Sequence, residues 1–155
     1  MAIPRILACA FLALACLLTT VAAGAQLAGA QGTAQSSIQS SHIRGELVAE
    51  GPAAPGETLM LAFRFDPEPG WHGYWKNPGD AGYGMRLDWD LPEGWQAGEP
   101  RYPVPQQLVI SGLMNHVYEG PYAVLVPVSV APGALPGGFV PIVVEADWLA
   151  CTDEI

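Results

Sequence analysis

Cys151 is the residue of this 155-residue chain whose side chain is best suited to act as a nucleophile. A cysteine thiolate is the nucleophile of thiol–disulfide exchange, and a second, nearby cysteine is needed to resolve the mixed disulfide. The flanking residues Asp147, Asp153 and Glu154 are acidic, and negative charge opposes thiolate formation. The sequence therefore predicts a thiol that is weakly activated and reacts in contact with a partner. A buried, inert cysteine at a strand end is the alternative.

The other two cysteines lie in a segment with the layout of an export signal. Arg5 precedes an apolar run at 6–18, and small residues follow at Ala23-Gly24-Ala25, a typical cleavage pattern. A second such pattern at 28–30 allows a cut there instead. We expect residues 1–25 to be removed, which leaves Cys151 as the one cysteine. An uncleaved membrane anchor is the alternative.

Composition excludes one class of partner. The chain has a net charge of −9, with 15 acidic and 6 basic side chains. No basic stripe is available to neutralise phosphates, so we expect no nucleic-acid partner. We also find no nucleophile elbow, phosphate-binding loop or dinucleotide fingerprint.

The rest of the chain is predicted to be a flexible leader followed by short strands. Residues 26–41 are rich in Gln, Ala, Gly, Ser and Thr, which predicts a flexible leader. Beyond them, alternating or β-branched runs recur between Gly and Pro turns, and helical periodicity is absent. Strands are predicted at 42–50, 57–66, 70–76, 85–91, 108–110, 115–118, 122–130 and 140–149, with a turn cluster at 77–82. Seven or eight strands at this spacing favour an all-β, immunoglobulin-like sandwich.

An aromatic cluster, GWHGYWK at 70–76, precedes the predicted turn. By strand alternation Trp71 and Tyr74 fall on different faces unless a bulge at Gly73 redirects them. The simplest interpretation is core tryptophans with surface aromatics.

Four motifs together resemble a known family. They are GWHGYWKNPGDAG at 70–82, LPEGW at 91–95, VYEGPYAVLVPVSV at 117–130 and ADWLACTDEI at 146–155. Residues 42–155 are similar to the N-terminal periplasmic domain of DsbD-type thiol:disulfide interchange proteins, in the ScsB-like branch. The resemblance implies an immunoglobulin-like sandwich with two cysteines a few residues apart.

The resemblance also implies a function. Cys151 matches the first redox cysteine, and the second would follow Ile155 directly, so we expect the domain at 42–155 to be truncated at its C-terminal end. Such a module passes electrons from a transmembrane thiol-reductase domain to exported thioredoxin-like or other disulfide proteins, without a cofactor. The resemblance further implies a periplasmic location, with membrane attachment only through the full-length protein. It implies that the chain is part of a protein-disulfide reductase with links to cytochrome c maturation and copper tolerance.

Two aromatic positions carry over from the family, where aromatic side chains shield the redox cysteines. Tyr74 resembles the position on the aromatic strand, and Tyr118 resembles a second position beside the cap region. Both are predicted to lie near the active site.

Two other functions remain open. The first is a non-catalytic immunoglobulin-like binding module, in which Trp71 and Trp75 could stack on a sugar or peptide. The second is a copper-binding protein, because the resembling branch is linked to copper and imidazole and thioether groups suit that metal. Only Met114 and His116 have close spacing, and methionine usually fills a core, so we predict no metal site.

Overall fold

The computed structural model describes residues 36–39 and 42–152, which lie in one compact unit spanning Gly32–Ile155. The predicted export signal and both of its cleavage patterns fall outside the described residues. The described part of the chain is all-β, and none of its elements is a helix long and apolar enough to cross a membrane. The strands in chain order are β1 (Ser36–Gln39), β2 (Ile43–Ala49), β3 (Thr58–Pro67), β4 (Trp71–Gly79), β5 (Arg86–Asp90), β6 (Gln96–Ala97), β7 (Gln106–Ile110), β8 (Leu113–Tyr118), β9 (Tyr122–Ser129), β10 (Val143–Asp147) and β11 (Cys151–Thr152).

One layer of the fold is a five-stranded antiparallel sheet in the order β1-β2-β3-β9-β6. Its inward face comes from strict alternation along the two central strands, as the sequence predicts for β3. The buried residues of those two strands are Leu59, Leu61, Phe63, Phe65, Val124, Val126 and Val128. Outward residues such as Arg64 are exposed.

The second layer consists of a four-stranded sheet, β11-β4-β8-β7, and a two-stranded sheet, β10-β5. Leu87 and Trp89 of β5 and Val144 of β10 are partly buried against the core of the first layer. The Trp89 and Phe63 rings pack edge to face, with their centroids 5.9 Å apart. Two antiparallel layers with an apolar interior form an immunoglobulin-like sandwich, which confirms the predicted fold class.

Part of the predicted leader is a strand. Residues 36–39 pair with β2, with Ser36 opposite Leu47 and Gln39 opposite Arg44, so the flexible-leader prediction for 26–41 was wrong for these four residues. A sheet edge recruits a strand through backbone hydrogen bonds. Composition alone does not reveal that pairing, because it depends little on the side chains.

Strand β4 also runs further than predicted. It continues through Asn77 and Pro78 to Gly79, residues that the sequence assigned to a turn. The ladder with β8 shifts register between Tyr74 and Gly79. The irregularity therefore lies after Tyr74 and not at Gly73, and such a bulge tolerates Pro and Gly within a strand.

Pro127 lies within strand β9, and the pairing of this strand shows why a proline is tolerated there. The Gly98 amide donates to the Pro127 carbonyl at 2.7 Å, so the backbone of Pro127 points its missing N–H toward β6, which has only two residues. This side of β9 is nearly an edge, where proline is tolerated.

Candidate functional site

Cys151 lies opposite a buried histidine. The short strand β11 pairs with β4 so that Cys151 faces His72 and Thr152 faces Trp71. Directly paired residues of antiparallel strands point to the same face, with Cβ atoms about 4.5–5.5 Å apart. His72 is 1% exposed, whereas Cys151 is partly exposed and has no disulfide partner among the described residues. Cys151 therefore shares a face of the sheet with His72 and keeps part of its surface exposed to solvent.

Tyr74 extends this row along β4. It follows His72 by two residues and shares its face. The His72 Nε2 atom lies 3.4 Å from the Tyr74 hydroxyl oxygen, and the two rings meet edge to face at 5.3 Å. Tyr74 is also buried. We call Cys151, His72 and Tyr74 the thiol row.

Residues 80–84 cover this face, and we call them the cover segment. Gly82 has a φ of +80° and lies directly on the Tyr74 ring, where a Cβ atom would overlap the ring carbons. Glycine is therefore required there for two reasons, the left-handed backbone and the close approach. The packing closes off the Tyr74 end of the row.

Strand β8 holds the cover segment in place. The Asp80 amide donates to the Met114 carbonyl, and the Met114 amide donates to the Asp80 carboxylate, each at 2.9 Å. The Ala81 amide donates to Oδ1 of the buried Asn115 at 3.2 Å, while Asn115 Nδ2 donates to the Leu113 carbonyl at 3.2 Å. These bonds pair the buried amide of Asn115 on both sides.

Tyr83 is a site residue that the sequence analysis missed. Its hydroxyl donates to Asp147 Oδ1 at 3.2 Å, which joins the cover segment to the end of β10. Desolvation, the bond to Asp147 and the charge of Asp147 raise the pKa of Tyr83. A negative charge on Cys151 also raises it, while Arg86 lowers it. Tyr83 is thus within electrostatic range of the thiol. Its only sequence signal is the pair of flanking glycines, which indicates a turn and not a site.

Tyr118 lies on the other face of the sheet. It pairs with Gly73, so its side chain points toward the five-stranded sheet. There it stacks on Tyr122 at 4.2 Å and donates to the Pro103 carbonyl at 2.7 Å. Burial raises the pKa values of Tyr118 and Tyr122. The structure brings Tyr74 to the face of Cys151 and does not bring Tyr118 there; a shielding role for either remains a prediction.

Gly73 shows how tightly the two layers meet beneath the thiol row. A Cβ atom at Gly73 would overlap the Tyr122 hydroxyl. The glycine therefore permits a close approach of β4 to β9.

The three histidines have different partners. The His42 Nδ1 atom lies 3.0 Å from Glu68 Oε2, and the His42 ring stacks on the Trp71 ring with centroids 3.6 Å apart. The His116 Nδ1 atom lies 3.0 Å from the Asn77 carbonyl, with the His116 ring edge-on to Trp75. Within residues 42–152, no group of three or more His, Cys, Asp or Glu side chains could hold a metal ion.

These contacts also bear on the binding-module alternative. Trp71 and Trp75 are partly buried, and each ring is against a histidine. Neither is a fully exposed platform for a sugar or peptide.

An open cleft of about 490 Å³ lies elsewhere, on the five-stranded sheet. Charged residues of β2 and β3 line it, including Arg44 and Asp66, whose side chains pair at 2.7 Å. None of its lining residues belongs to β4 or β11, so the cleft is separate from the thiol row.

Fold and site together define a class: an immunoglobulin-like sandwich with a partly exposed cysteine paired with a buried histidine across neighbouring strands. Residues 44–155 match the family model "Thiol:disulfide interchange protein DsbD, N-terminal". The chain belongs to this family, whose modules are related to thiol:disulfide interchange.

A solved structure supports the fold assignment. The chain is similar to the N-terminal periplasmic domain of ScsB from Proteus mirabilis, with a TM-score of 0.59 and 14% sequence identity. The match covers 78% of this chain and 45% of that chain, so the chain spans less than half of that structure. No curated protein matches the chain.

Proposed function

We propose that this chain is an exported thiol:disulfide interchange module in which Cys151 is the redox thiol. The observation that carries the proposal is the pairing of Cys151 with β4, which sets a partly exposed cysteine opposite buried His72 in a member of a family of interchange modules. The periplasmic location of the similar ScsB domain supports export. The predicted signal at 1–25 supplies the route.

The exchange proceeds in balanced steps. The Cys151 thiolate attacks one sulfur of an exported protein's disulfide, forming a mixed disulfide and releasing the other sulfur as a thiolate that takes up a proton. A second, resolving cysteine, which the exchange requires, then attacks Sγ of Cys151. The partner leaves as a dithiol, and the module holds the disulfide. Two electrons have passed to the partner.

The module must then be reduced again. We propose that a dithiol of a transmembrane reductase domain supplies the two electrons by the reverse exchange, and that thioredoxin-like proteins are among the exported acceptors. The acceptor of each exchange is reached through the exposed side of Cys151. No cofactor enters either step, because sulfur atoms carry the electrons throughout.

The test uses the full chain with Cys9→Ser and Cys16→Ser, so that Cys151 is its only thiol. The reduced chain is mixed with oxidised glutathione under native conditions, and intact mass spectrometry follows the product. We expect one mixed disulfide per chain, and none in the matched variant that also carries Cys151→Ser. A repeat with an oxidised thioredoxin-fold protein should trap a covalent complex.

The opposite outcome would identify an inert structural cysteine. In that case neither glutathione nor the protein disulfide would react with Cys151 until the chain is unfolded in denaturant. Such a result would contradict the redox function and favour the binding module.

A further inference from the structure

His72 is a buried histidine on the same face of the sheet as Cys151. It is a polar, titratable side chain with 1% exposure, although it lies on a strand where an apolar residue would pack without needing a partner. Burying a polar group is unfavourable unless it is hydrogen-bonded, and Tyr74 stands 3.4 Å from its Nε2 atom. The residue paired with His72 across the ladder is Cys151. A nucleophile, a base and a third group that orients the base thus follow one another on one face.

We propose that His72 is the proton acceptor for Cys151 and that Tyr74 positions its ring. This inference rests on the proposed function, since it names a second residue for the same exchange. The contact between His72 Nε2 and the Tyr74 hydroxyl fixes the ring orientation, and the proton passes between the Cys151 thiol and the imidazole. Tyr74 acts only through His72 and is a positioning residue.

The proton balance of the first step follows. His72 takes the proton of the Cys151 thiol as its sulfur attacks the partner's disulfide. The sulfur–sulfur bond of the partner breaks, and the released sulfur takes the proton back from the imidazolium. One S–H and one S–S bond are lost and one of each is formed. His72 ends neutral, ready for another exchange.

The charges around the row explain why a base is useful here. Tyr74 of β4 contacts His72, and Tyr83 of the cover segment is within electrostatic range of Cys151. Around Tyr83 lie Asp147 from β10, which accepts its hydroxyl proton in a hydrogen bond, and Arg86 from β5. Asp147 is negative and opposes a lone thiolate on Cys151. A thiolate paired with an imidazolium is neutral overall, so the proton on His72 offsets that repulsion.

The first test compares His72→Asn with the parent chain that has Cys151 as its only thiol. The rate of mixed-disulfide formation with oxidised glutathione is measured from about pH 5 to pH 9. We expect the parent profile to include a limb that reflects proton transfer to His72. In His72→Asn the limb should disappear, and the rate at neutral pH should fall by about 10- to 100-fold.

A matched control and a second variant keep the test decisive. His116→Asn replaces the histidine on β8 that contacts Asn77, and it should keep both the rate and the limb. Tyr74→Phe keeps the ring and removes the hydroxyl. It should also lower the rate, but the loss should be several-fold smaller than the loss in His72→Asn. If His72→Asn does not fold by circular dichroism, Tyr74→Phe and its pH profile decide the question.

The outcomes separate this inference from the proposed function. If a folded His72→Asn variant keeps its rate within about twofold and retains the limb, His72 is only a packing residue and the inference is overturned, while Cys151 keeps its redox role. If the parent chain itself forms no mixed disulfide, the proposed function fails.

Discussion

The apolar core and the thiol row are both buried, yet they are built by different rules. The core is made of side chains such as Phe63 and Val126, which have no polar atoms. Alternation along β3 and β9 directs these side chains inward. The thiol row buries His72 and Tyr74, with Asn115 buried on β8. Each of these has polar atoms that need partners. Apolar burial thus positions the two layers, whereas polar pairing and a glycine-rich cover position the chemistry.

The largest expected effect comes from emptying the core. Phe63→Ala removes a side chain that is 2% exposed, and we expect the free energy of unfolding to fall by about 3–5 kcal/mol. Urea unfolding followed by circular dichroism measures it. Arg64→Ala, at the exposed neighbouring position, should change the value by less than about 0.5 kcal/mol. Similar losses in the two variants would contradict the assignment of the core.

A glycine pair distinguishes the cover segment from an ordinary turn. Gly82 and Gly112 have nearly equal φ values of +80° and +82°, but only Gly82 lies against the Tyr74 ring, while Gly112 faces open space. We expect Gly82→Ala to lose about 2–4 kcal/mol from backbone strain and overlap together. Gly112→Ala carries the backbone strain alone, about 1–2 kcal/mol.

The same pair has a second readout at the thiol. Displacing the cover segment should speed native alkylation of Cys151 by iodoacetamide in Gly82→Ala and leave it unchanged in Gly112→Ala. Equal stability losses and equal alkylation rates would show that the cover segment does not pack on the thiol row.

Alkaline pH tests the place where the two regions meet. Tyr122 stacks on Phe65 of the core and on Tyr118 beneath the site. Burial first, and then the charges of Tyr118 and Tyr102, raise its pKa. Unfolded tyrosine ionises near pH 10, while the folded state keeps the proton. The stability contribution is therefore full below about pH 10 and is lost as pH rises further.

Tyr122→Phe removes one of the ionising groups. We expect its urea midpoint to decline less steeply than that of the parent chain between about pH 9 and pH 11. Parallel declines would contradict the burial of the Tyr122 hydroxyl as the cause.

The smallest effect belongs to neither region. Arg44 and Asp66 pair at 2.7 Å on the outer face of the five-stranded sheet, with side chains 71% and 49% exposed. A double-mutant cycle with Arg44→Ala and Asp66→Ala should give a coupling of about 0–1 kcal/mol that shrinks with salt. A larger coupling that resists salt would contradict the solvent exposure of this pair.

Much of the fold was predictable because it depends on local patterns. The strands predicted at 57–66, 108–110 and 115–118 were visible in the sequence, and all three are present in the structure as β3, β7 and β8. Strand β1 and the continuation of β4 through Asn77 and Pro78 were not visible. Both are sustained by backbone pairing with a neighbouring strand, which overrides the turn and leader preferences of the residues themselves.

The site was predictable only in part. Cys151 stood out by residue type, and Tyr74 was named from family resemblance. Tyr83 was missed because glycines on both sides made it look like a turn residue, and the placement of Tyr118 depended on a strand register that no local pattern reveals.

By itself, the sequence predicted an all-β fold, one thiol outside the predicted export signal and strands in which apolar and polar residues alternate. These follow from residue type and from a period of two along each strand. Only the tertiary structure decided that Cys151 meets His72, that Gly82 closes over Tyr74 and that Tyr118 faces away. Those contacts join residues up to about 80 positions apart, and their geometry is set by the register between strands.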